Sequence, residues 1–344
     1  MGALKHTPLF AAETAEGAKM VPVRGWSLPA YYPGGALGEY RHTRSGCSLF
    51  DLSHPEKFRI AGTGAAAALD REFAAPCSGT EIGGCRYDLV LDADGGIVGE
   101  AFVHRMAEED FFVTAEAAGA GMLPLLGKRL PEALELQDLS ASLAVLALCG
   151  PESERTLREL VEETVVLPGA DRHTMLALDD FRCIASRINF AGVPEYRFFC
   201  RADAAEELRE FFLESSGIRP AGMTAREMLR IEAGVPAFPS ELNMAHTPLE
   251  CGLDGFGGPR EPRRQLKFVK FAGRRAAPPN SVVLSASGDE VGRVTSGALS
   301  PAAEAAFAFC DLDAAFPAPA GTVLTVKNAA ETLTCVVVTP PQRH

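Results

Sequence analysis

Ser, His and Asp side chains, the three residue types of a hydrolytic triad, occur together at Asp51, Ser53 and His54. A triad is assembled in space, so residues that are adjacent in sequence seldom point at one another. The following Pro55 and Glu56 indicate a polar turn between two short strands. A histidine in such a turn is more often hydrogen-bonded to the backbone than engaged in proton transfer, and we therefore expect His54 to be a turn residue.

Several motifs that indicate a particular reaction are missing from the sequence. It contains no GxxxxGKS/T phosphate loop, no HExxH zinc motif and no GxSxG nucleophile elbow. The glycine-rich segments at residues 95–96 and 255–258 lack the strand–GxGxxG–helix setting of a dinucleotide site. The nine cysteines are scattered and never spaced as CxxC, which argues against a zinc site or a disulfide framework. We expect no metal, and we expect the cysteines to be reduced residues of the core.

The charge balance excludes two classes of partner. Acidic residues outnumber basic ones by 45 to 33, which gives a formal net charge of −12. Binding to nucleic acid or to an anionic membrane would need clustered Lys and Arg, and the densest basic stretch, residues 260–270, is short.

The N-terminus does not have the pattern of a signal peptide, and the longest apolar run, residues 143–149, is far shorter than the ~20 residues that span a bilayer. We expect a cytoplasmic protein.

The pattern of elements favours an α+β fold. The Asp94-Gly95-Gly96 turn between two β-rich runs predicts a hairpin, with strands at residues 85–92 and 97–105. Helices are predicted at residues 63–73, 117–130, 151–163, 204–215 and 225–233. Residues 252–262 are rich in Gly and Pro and predict a linker or long loop, after which short β runs predict a small all-β domain. Strands and helices alternate without a regular βαβ rhythm, which argues against a doubly wound sheet.

Seven sequence blocks in a fixed order carry a family resemblance. They are GAKMVP from residue 17, FDLSH from 50, CRYDLVLDADGGI from 85, LALCGPES from 146, AREMLRIEAGVPAFPSEL from 225, HTPLECGL from 246 and VGRVTSGALSP from 291. Together they span nearly the whole chain, and in this order the chain resembles the glycine-cleavage T-protein (aminomethyltransferase) family.

The resemblance implies a fold and a reaction. The fold would be a clover leaf of two intertwined α+β subdomains in residues 1–262 and a C-terminal β-barrel in residues 263–344. The cofactor would be tetrahydrofolate, and the donor would be a small molecule that gives a methyl or aminomethyl-derived carbon. The resemblance leaves open whether a lipoylated carrier protein presents that donor.

The resemblance also assigns two residues of the hairpin. The family motif GGI-x-D-D corresponds to residues 95–100, where the first acid is replaced by Gly99 and the second by Glu100. Glu100 would be the catalytic carboxylate; the alternative is an exposed strand residue. Tyr87, on the preceding strand, occupies the family's Tyr position lining the folate site; the alternative is a half-buried hairpin aromatic.

Four further residues correspond to the family's folate contacts, with departures from its pattern. The motif GYTGEDGFE corresponds to NFAGVPEYR at residues 189–197, so Phe190 keeps the aromatic ring and Arg197 replaces the Glu that accepts pteridine N–H groups. Arg197 has donors only and cannot replace that contact, whereas Glu195 lies two residues earlier on the same strand face. Arg226 keeps the family's contact to the folate tail; the alternative is a surface helix residue. The aromatic residue expected near the C-terminus is missing, since the chain ends PPQRH.

Two hypotheses follow. The first is a tetrahydrofolate-dependent one-carbon transferase with Glu100 as its carboxylate. The second, suggested by Arg197 and the missing aromatic, is a non-catalytic folate- or anion-binding paralogue with a regulatory role. Under the first, we expect Glu195 to turn inward and accept the pteridine N–H groups, so that Glu195→Gln weakens folate binding about tenfold.

Overall fold

The computed structural model describes residues 3–117, 119, 121–257 and 261–341. Within them the chain forms twenty strands and seven α-helices. The strands are β1 (Lys5–His6), β2 (Lys19–Val23), β3 (Trp26–Tyr31), β4 (Cys47–Asp51), β5 (Glu56–Ala61), β6 (Cys85–Leu91), β7 (Ile97–Ala107), β8 (Asp110–Ala117), β9 (Glu135–Asp138), β10 (Leu143–Cys149), β11 (Arg172–Leu178), β12 (Phe181–Phe190), β13 (Val193–Arg201), β14 (Ile218–Pro220), β15 (Arg264–Phe271), β16 (Val282–Leu284), β17 (Glu290–Ser300), β18 (Ala305–Asp313), β19 (Val323–Lys327) and β20 (Thr332–Val337). The helices are α1 (Phe10–Ala15), α2 (Ala36–Ser45), α3 (Ala65–Glu72), α4 (Met122–Arg129), α5 (Ser153–Leu160), α6 (Ala205–Leu213) and α7 (Met223–Glu232).

The first large sheet has the order β11-β12-β13-β10-β4-β14. Its central strand β10, LAVLALC, is apolar throughout and is buried on both faces, as a strand covered from two sides must be. Helices α5 and α6 cover one face, where Leu157, Leu208 and Phe212 are buried. The other face carries Phe50 and Phe199, which pack against the second sheet.

The second large sheet has the order β6-β7-β8-β5-β9 and is antiparallel throughout. Helices α3 and α4 cover one face with an Ala- and Leu-rich core. The opposite face, which we call the site face, meets the first sheet where the rings of Phe112 and Phe199 lie 5.0 Å apart, edge to face. Because the chain leaves the first sheet after β4 and returns to it at β10, the two units are intertwined.

A closed barrel of order β15-β18-β17-β16-β19-β20 forms the C-terminal unit around its own core. Helix α7 packs against the barrel, where Ile231 contacts Phe268 and Phe309. A three-stranded sheet, β1-β3-β2, completes the N-terminal part. All nine cysteines are buried, as predicted for core residues. In the ranges described, no helix has the length and apolar composition needed to span a membrane.

The predicted α+β class and C-terminal barrel are confirmed, and so is the hairpin. The helix predicted at residues 117–130 begins late, because Ala117 ends β8 and α4 starts at Met122; residues 118 and 120 lie outside the described part. The predicted loop at residues 252–262 contains residues 258–260, also outside it, so the boundary after 262 stays a prediction. Helices α1 and α2 were not predicted.

A buried carboxylate joins α7 to the barrel. One oxygen of Glu241 accepts hydrogen bonds from the hydroxyls of Thr295 at 2.6 Å and Ser296 at 2.7 Å, both on β17. The other oxygen accepts from the Arg230 guanidinium at 2.8 Å and from the Ala237 N–H at 3.0 Å. Every strong acceptor position is used, as burial of a charge requires. The Glu241 carboxylate therefore fixes where the barrel sits against the body.

We predict that Glu241→Gln lowers the free energy of unfolding by about 3 kcal/mol, because it leaves Arg230 with one buried counter-charge fewer. The matched control is Glu227→Gln, which removes the other, 47 % exposed partner of Arg230 and should cost less than about 1 kcal/mol. Urea denaturation of both variants measures this. Equal losses in the two variants would contradict the role given to Glu241.

Candidate functional site

Gly99 and Glu100 occupy the two positions of the predicted acid pair and point to opposite faces of β7. A Cβ on Gly99 would lie 2.5 Å from the carbonyl oxygen of Glu116 and 2.8 Å from the Cε of Met122, inside the core beneath α4. No side chain fits there without a shift of the backbone. Of the two positions, only that of Glu100 carries an acid, and its side chain lies on the site face.

Glu100 is half-buried and held by two neutral donors. The Tyr87 hydroxyl donates to Oε2 at 2.8 Å, and the Phe238 N–H donates to Oε1 at 3.3 Å. Burial raises the pKa of Glu100, and the Tyr87 hydrogen bond partly offsets this rise. The Tyr87 ring in turn packs edge-on against Phe102 and Phe256. Glu100 thus differs from the alternative of an exposed strand acid, whereas Tyr87 is half-buried on the hairpin, so its role in lining the folate site stays a prediction.

A second carboxylate, Glu116, lies beside Glu100 on the site face. The two residues are direct cross-strand partners in the β7–β8 ladder, so their side chains emerge side by side. Glu116 forms an ion pair with Arg24, which stands in the turn between β2 and β3. The Nε2 atom of His54 lies 3.2 Å from the other Glu116 oxygen. Glu116 and Arg24 were not identified from the sequence.

His54 belongs to this group. It lies in the turn between β4 and β5 as predicted, but its ring forms no hydrogen bond to the backbone among the described residues. Its ring is buried and faces Glu116. Burial lowers the pKa of His54 to about 3, and the cations of Arg24 and Lys57 add to the effect. The imidazole is therefore neutral at pH 7, and its Nδ1 atom has no hydrogen-bond partner among the described residues.

Glu195 is completely buried at the centre of an ion triad. Its carboxylate accepts from the Arg197 Nε at 2.7 Å and from two nitrogens of Arg226, one of them at 2.5 Å. Burial alone would raise the pKa of Glu195, but the two guanidinium charges lower it to about 2. The Cys149 thiol also bonds to this carboxylate. Glu195 turns inward as expected, and about four acceptor positions are already engaged.

Aromatic rings carry the two guanidinium groups of the triad. Arg197 lies over the Phe102 ring at 4.3 Å, and Arg226 lies over the Phe190 ring at 3.5 Å, both within cation–π range. Since Phe102 stands on β7, Arg197 joins the first sheet to the site face. Arg226 is 8 % exposed, which differs from the alternative of a surface helix residue.

The structure therefore brings the six sequence-predicted residues into two adjoining groups. Tyr87 and Glu100 form one, and the other is formed by Phe190, Glu195, Arg197 and Arg226. Between them, Arg197 packs on Phe102 beside Tyr87. A flat ring, an anionic tail and a cationic reactant would all find complementary groups at this junction of the two sheets.

The comparisons with known proteins agree with this architecture. A model of the GCVT N-terminal domain matches residues 9–257, and a model of the glycine cleavage T-protein C-terminal barrel domain matches residues 263–342. An aminomethyltransferase of Saccharopolyspora erythraea is 30 % identical over 99 % of this chain and 98 % of its own length. One of Geobacillus kaustophilus is 29 % identical over 87 % of each.

A solved structure gives the same result. The glycine cleavage system aminomethyltransferase T of Bartonella henselae superposes with a TM-score of 0.88 at 25 % identity, covering 98 % of both chains. Two α+β units closed by a C-terminal barrel, with acids and guanidinium groups at their junction, define the class of protein. The chain belongs to the glycine-cleavage T-protein family, and the family resemblance drawn from the seven blocks is confirmed.

We predict that Glu195→Gln lowers the free energy of unfolding by about 3 kcal/mol at neutral pH, because two guanidinium groups lose their buried counter-charge. Folding lowers the pKa of Glu195 from 4.5 to about 2, so the stability that its charge contributes is full above 4.5 and is lost toward 2. The difference between parent and variant should therefore shrink as the pH falls from about 5 to about 3. Urea denaturation across this range measures it.

The control for this prediction is Glu154→Gln, which removes the 47 % exposed partner of Arg187 in the same part of the fold. It should cost less than about 1 kcal/mol. A Glu195→Gln loss no larger than this control, or one that does not change with pH, would contradict the ion triad.

Proposed function

We propose that this chain is a tetrahydrofolate-dependent one-carbon transferase that moves a methyl or aminomethyl-derived carbon to folate, with Glu100 as the active-site carboxylate. The observation that carries the proposal is the placement of Glu100 in a chain of the T-protein family. Glu100 lies at the junction of the two sheets, half-buried, and both its oxygens are fixed by Tyr87 and Phe238. A fixed negative charge in such a place stabilises positive charge that develops on a reacting amine.

The residues around Glu100 fit tetrahydrofolate. The Tyr87 ring stands beside Glu100, where it can contact a flat pteridine, and Phe102 supports it edge-on. Two buried polar atoms, His54 Nδ1 and Thr114 Oγ1, have no partner in the described part of the chain and suit the polar edge of such a ring. Tetrahydrofolate, when bound, supplies the nucleophilic ring nitrogens that accept the one-carbon unit.

The ion triad supports the anionic end of the cofactor. Arg226 has five N–H donors, and its bonds to Glu195 leave others for a carboxylate of the folate tail. Arg197 adds a second positive charge, held over Phe102. We assign Glu195 to positioning these two guanidinium groups, and its direct acceptance of a pteridine N–H stays a prediction. Phe190 supports Arg226 from beneath.

Tyr87 and Glu100 act together in this proposal. The hydroxyl hydrogen bond holds the carboxylate in one orientation and favours its charged form. Glu100 then orients the amine of the donor and stabilises the cation that forms when its carbon is transferred. The likeness to aminomethyltransferases supports an aminomethyl donor, and a lipoylated carrier protein as partner is part of the same proposal.

A non-catalytic folate- or anion-binding paralogue is the second candidate. The observation that favours it is Arg226 stacked at 3.5 Å on Phe190, since the aromatic ring expected to contact folate is covered by the protein itself. Isothermal titration with tetrahydrofolate tests the shared part of both proposals, and turnover of donors separates them. Absence of folate binding at high micromolar concentration would remove the transferase proposal.

We predict that Glu100→Gln leaves the Kd for tetrahydrofolate within about twofold of the parent and lowers kcat about 100-fold, because its charge matters mainly as the transition state forms. Tyr87→Phe should move the acidic limb of the pH–rate profile to higher pH, since the lost hydrogen bond raises the pKa of Glu100 further. Turnover of a panel of methyl and aminomethyl donors measures both effects. Unchanged turnover in Glu100→Gln would contradict the assignment.

A further inference from the structure

Two acids on neighbouring strands share the site face, and their partners differ. Glu100 is bonded by the neutral donors Tyr87 and Phe238, and no ion pair of Glu100 is found among the described residues. Glu116 pairs with the guanidinium of Arg24. Arg24 therefore stands beside two carboxylates whose Cβ atoms, as direct cross-strand partners, lie about 4.5–5.5 Å apart. The charges of Arg24 and Arg230 both lower the pKa of Glu100, which burial raises more strongly.

The third neighbour of the two acids is His54, whose ring nitrogens lack hydrogen-bond partners among the described residues. The Nε2 atom of His54 lies 3.2 Å from a Glu116 oxygen but forms no hydrogen bond to it. Both ring nitrogens are buried without a hydrogen-bond partner in the described ranges, and one of them is an acceptor because a neutral imidazole carries a single proton. Thr114 Oγ1, buried two residues before Glu116 on the same strand face, is also unpartnered. The unpartnered polar atoms of His54 and Thr114 indicate that a polar ligand binds beside Glu116.

Arg24 occupies an unusual backbone position. It is the first central residue of the two-residue turn between β2 and β3, with φ 47°, and Gly25 follows with φ 82°. Such a turn prefers Asn, Asp or Gly at its first central position, so the turn itself does not require an arginine. The Arg24 side chain is 36 % exposed, whereas its partner Glu116 is 20 % exposed. Its guanidinium thus stands where a cation arriving from solvent would meet the carboxylate.

We propose that Glu116 is a second carboxylate of the site, which binds the cationic nitrogen of an amine donor in place of Arg24. This inference rests on the proposed function only in that Glu100 is taken as the carboxylate next to the reacting carbon. Arg24 occupies the cation position when no donor is bound, and it swings toward solvent when one arrives. His54 stands beside Glu116, and its Nε2 atom, which has no hydrogen-bond partner in the described ranges, can accept an N–H of the ligand. The ligand class is a small primary or secondary ammonium compound.

Ligand-observed NMR with a matched pair of probes tests this proposal. The probes are 2-(methylthio)ethylamine, a stable cationic thioether, and 2-(methylthio)ethanol, its neutral counterpart. In the full-length chain the amine should bind more tightly than the alcohol. Glu116→Gln should weaken amine binding tenfold or more and leave alcohol binding within twofold.

Arg24→Gln gives the opposite sign and keeps the proposal testable even if Glu116→Gln does not fold. Removal of the competing guanidinium should tighten amine binding threefold or more, whereas a merely structural role of the ion pair would weaken it. The control is Glu135→Gln on β9 of the same sheet, an acid that is 62 % exposed and should leave both probes unchanged.

Two results would overturn the proposal: amine binding by Glu116→Gln equal to that of the parent, or weaker amine binding in Arg24→Gln. A separate tetrahydrofolate titration of the parent keeps this outcome distinct from that of the proposed function. Amine binding that depends on Glu116 without any folate binding would support the second carboxylate and remove the transferase proposal. Folate binding with no dependence of the amine on Glu116 would do the reverse.

Discussion

The register of the β7–β8 hairpin decides which side chains face the site. An irregularity between Arg105 and Ala107 shifts the pairing by one residue, so that Glu100 lies opposite Glu116. The β7–β8 ladder begins with the pair Ala107 and Asp110. If the register did not shift, Glu100 would pair with Ala117, and the Glu116 side chain would point into the core beneath α4. Bulges of this kind redirect side chains and are often found near active sites. The polar face of the second sheet depends on this one extra residue.

Paired charges then hold the units around that face. Glu195 binds two guanidinium groups, of which Arg197 lies over Phe102 and joins the first sheet to the second. Glu241 joins α7 to the barrel through β17. Burying a charge is costly unless partners satisfy it, so each of these carboxylates admits few geometries. Because each buried carboxylate must keep its partners, the arrangement of the three units is specific.

The sequence predicts those features that depend on local chemistry or on ordered motifs. The Asp94-Gly95-Gly96 turn predicts the hairpin, and the seven blocks predict the family and the barrel. Helix α2 was not predicted because its buried face is polar, so the apolar periodicity of a core-facing helix is missing. On that face the Glu39 carboxylate accepts hydrogen bonds from the N–H groups of Tyr32 and Gly222. The pairing of Glu100 with Glu116 could not be predicted either, because the alternation of residue types along β8 does not reveal a bulge in β7.

Long-range contacts account for the rest. Arg197 looks like the loss of an acceptor when the motif is read alone, and only the fold shows that it shares Glu195 with Arg226. Arg24 is separated from its partner Glu116 by more than ninety positions in the chain, and its turn carries no signal for such a contact. These residues could be found only once the two sheets were in place.

The proposed function requires that Glu100 faces the reacting end of bound folate. A crystal structure of the chain with tetrahydrofolate tests it most directly. We expect a reacting ring nitrogen within about 3 Å of a Glu100 carboxylate oxygen, or one water away from it, with the folate tail toward Arg226. A ring bound elsewhere, or one separated from Glu100 by Arg197 with no water path between them, would contradict it.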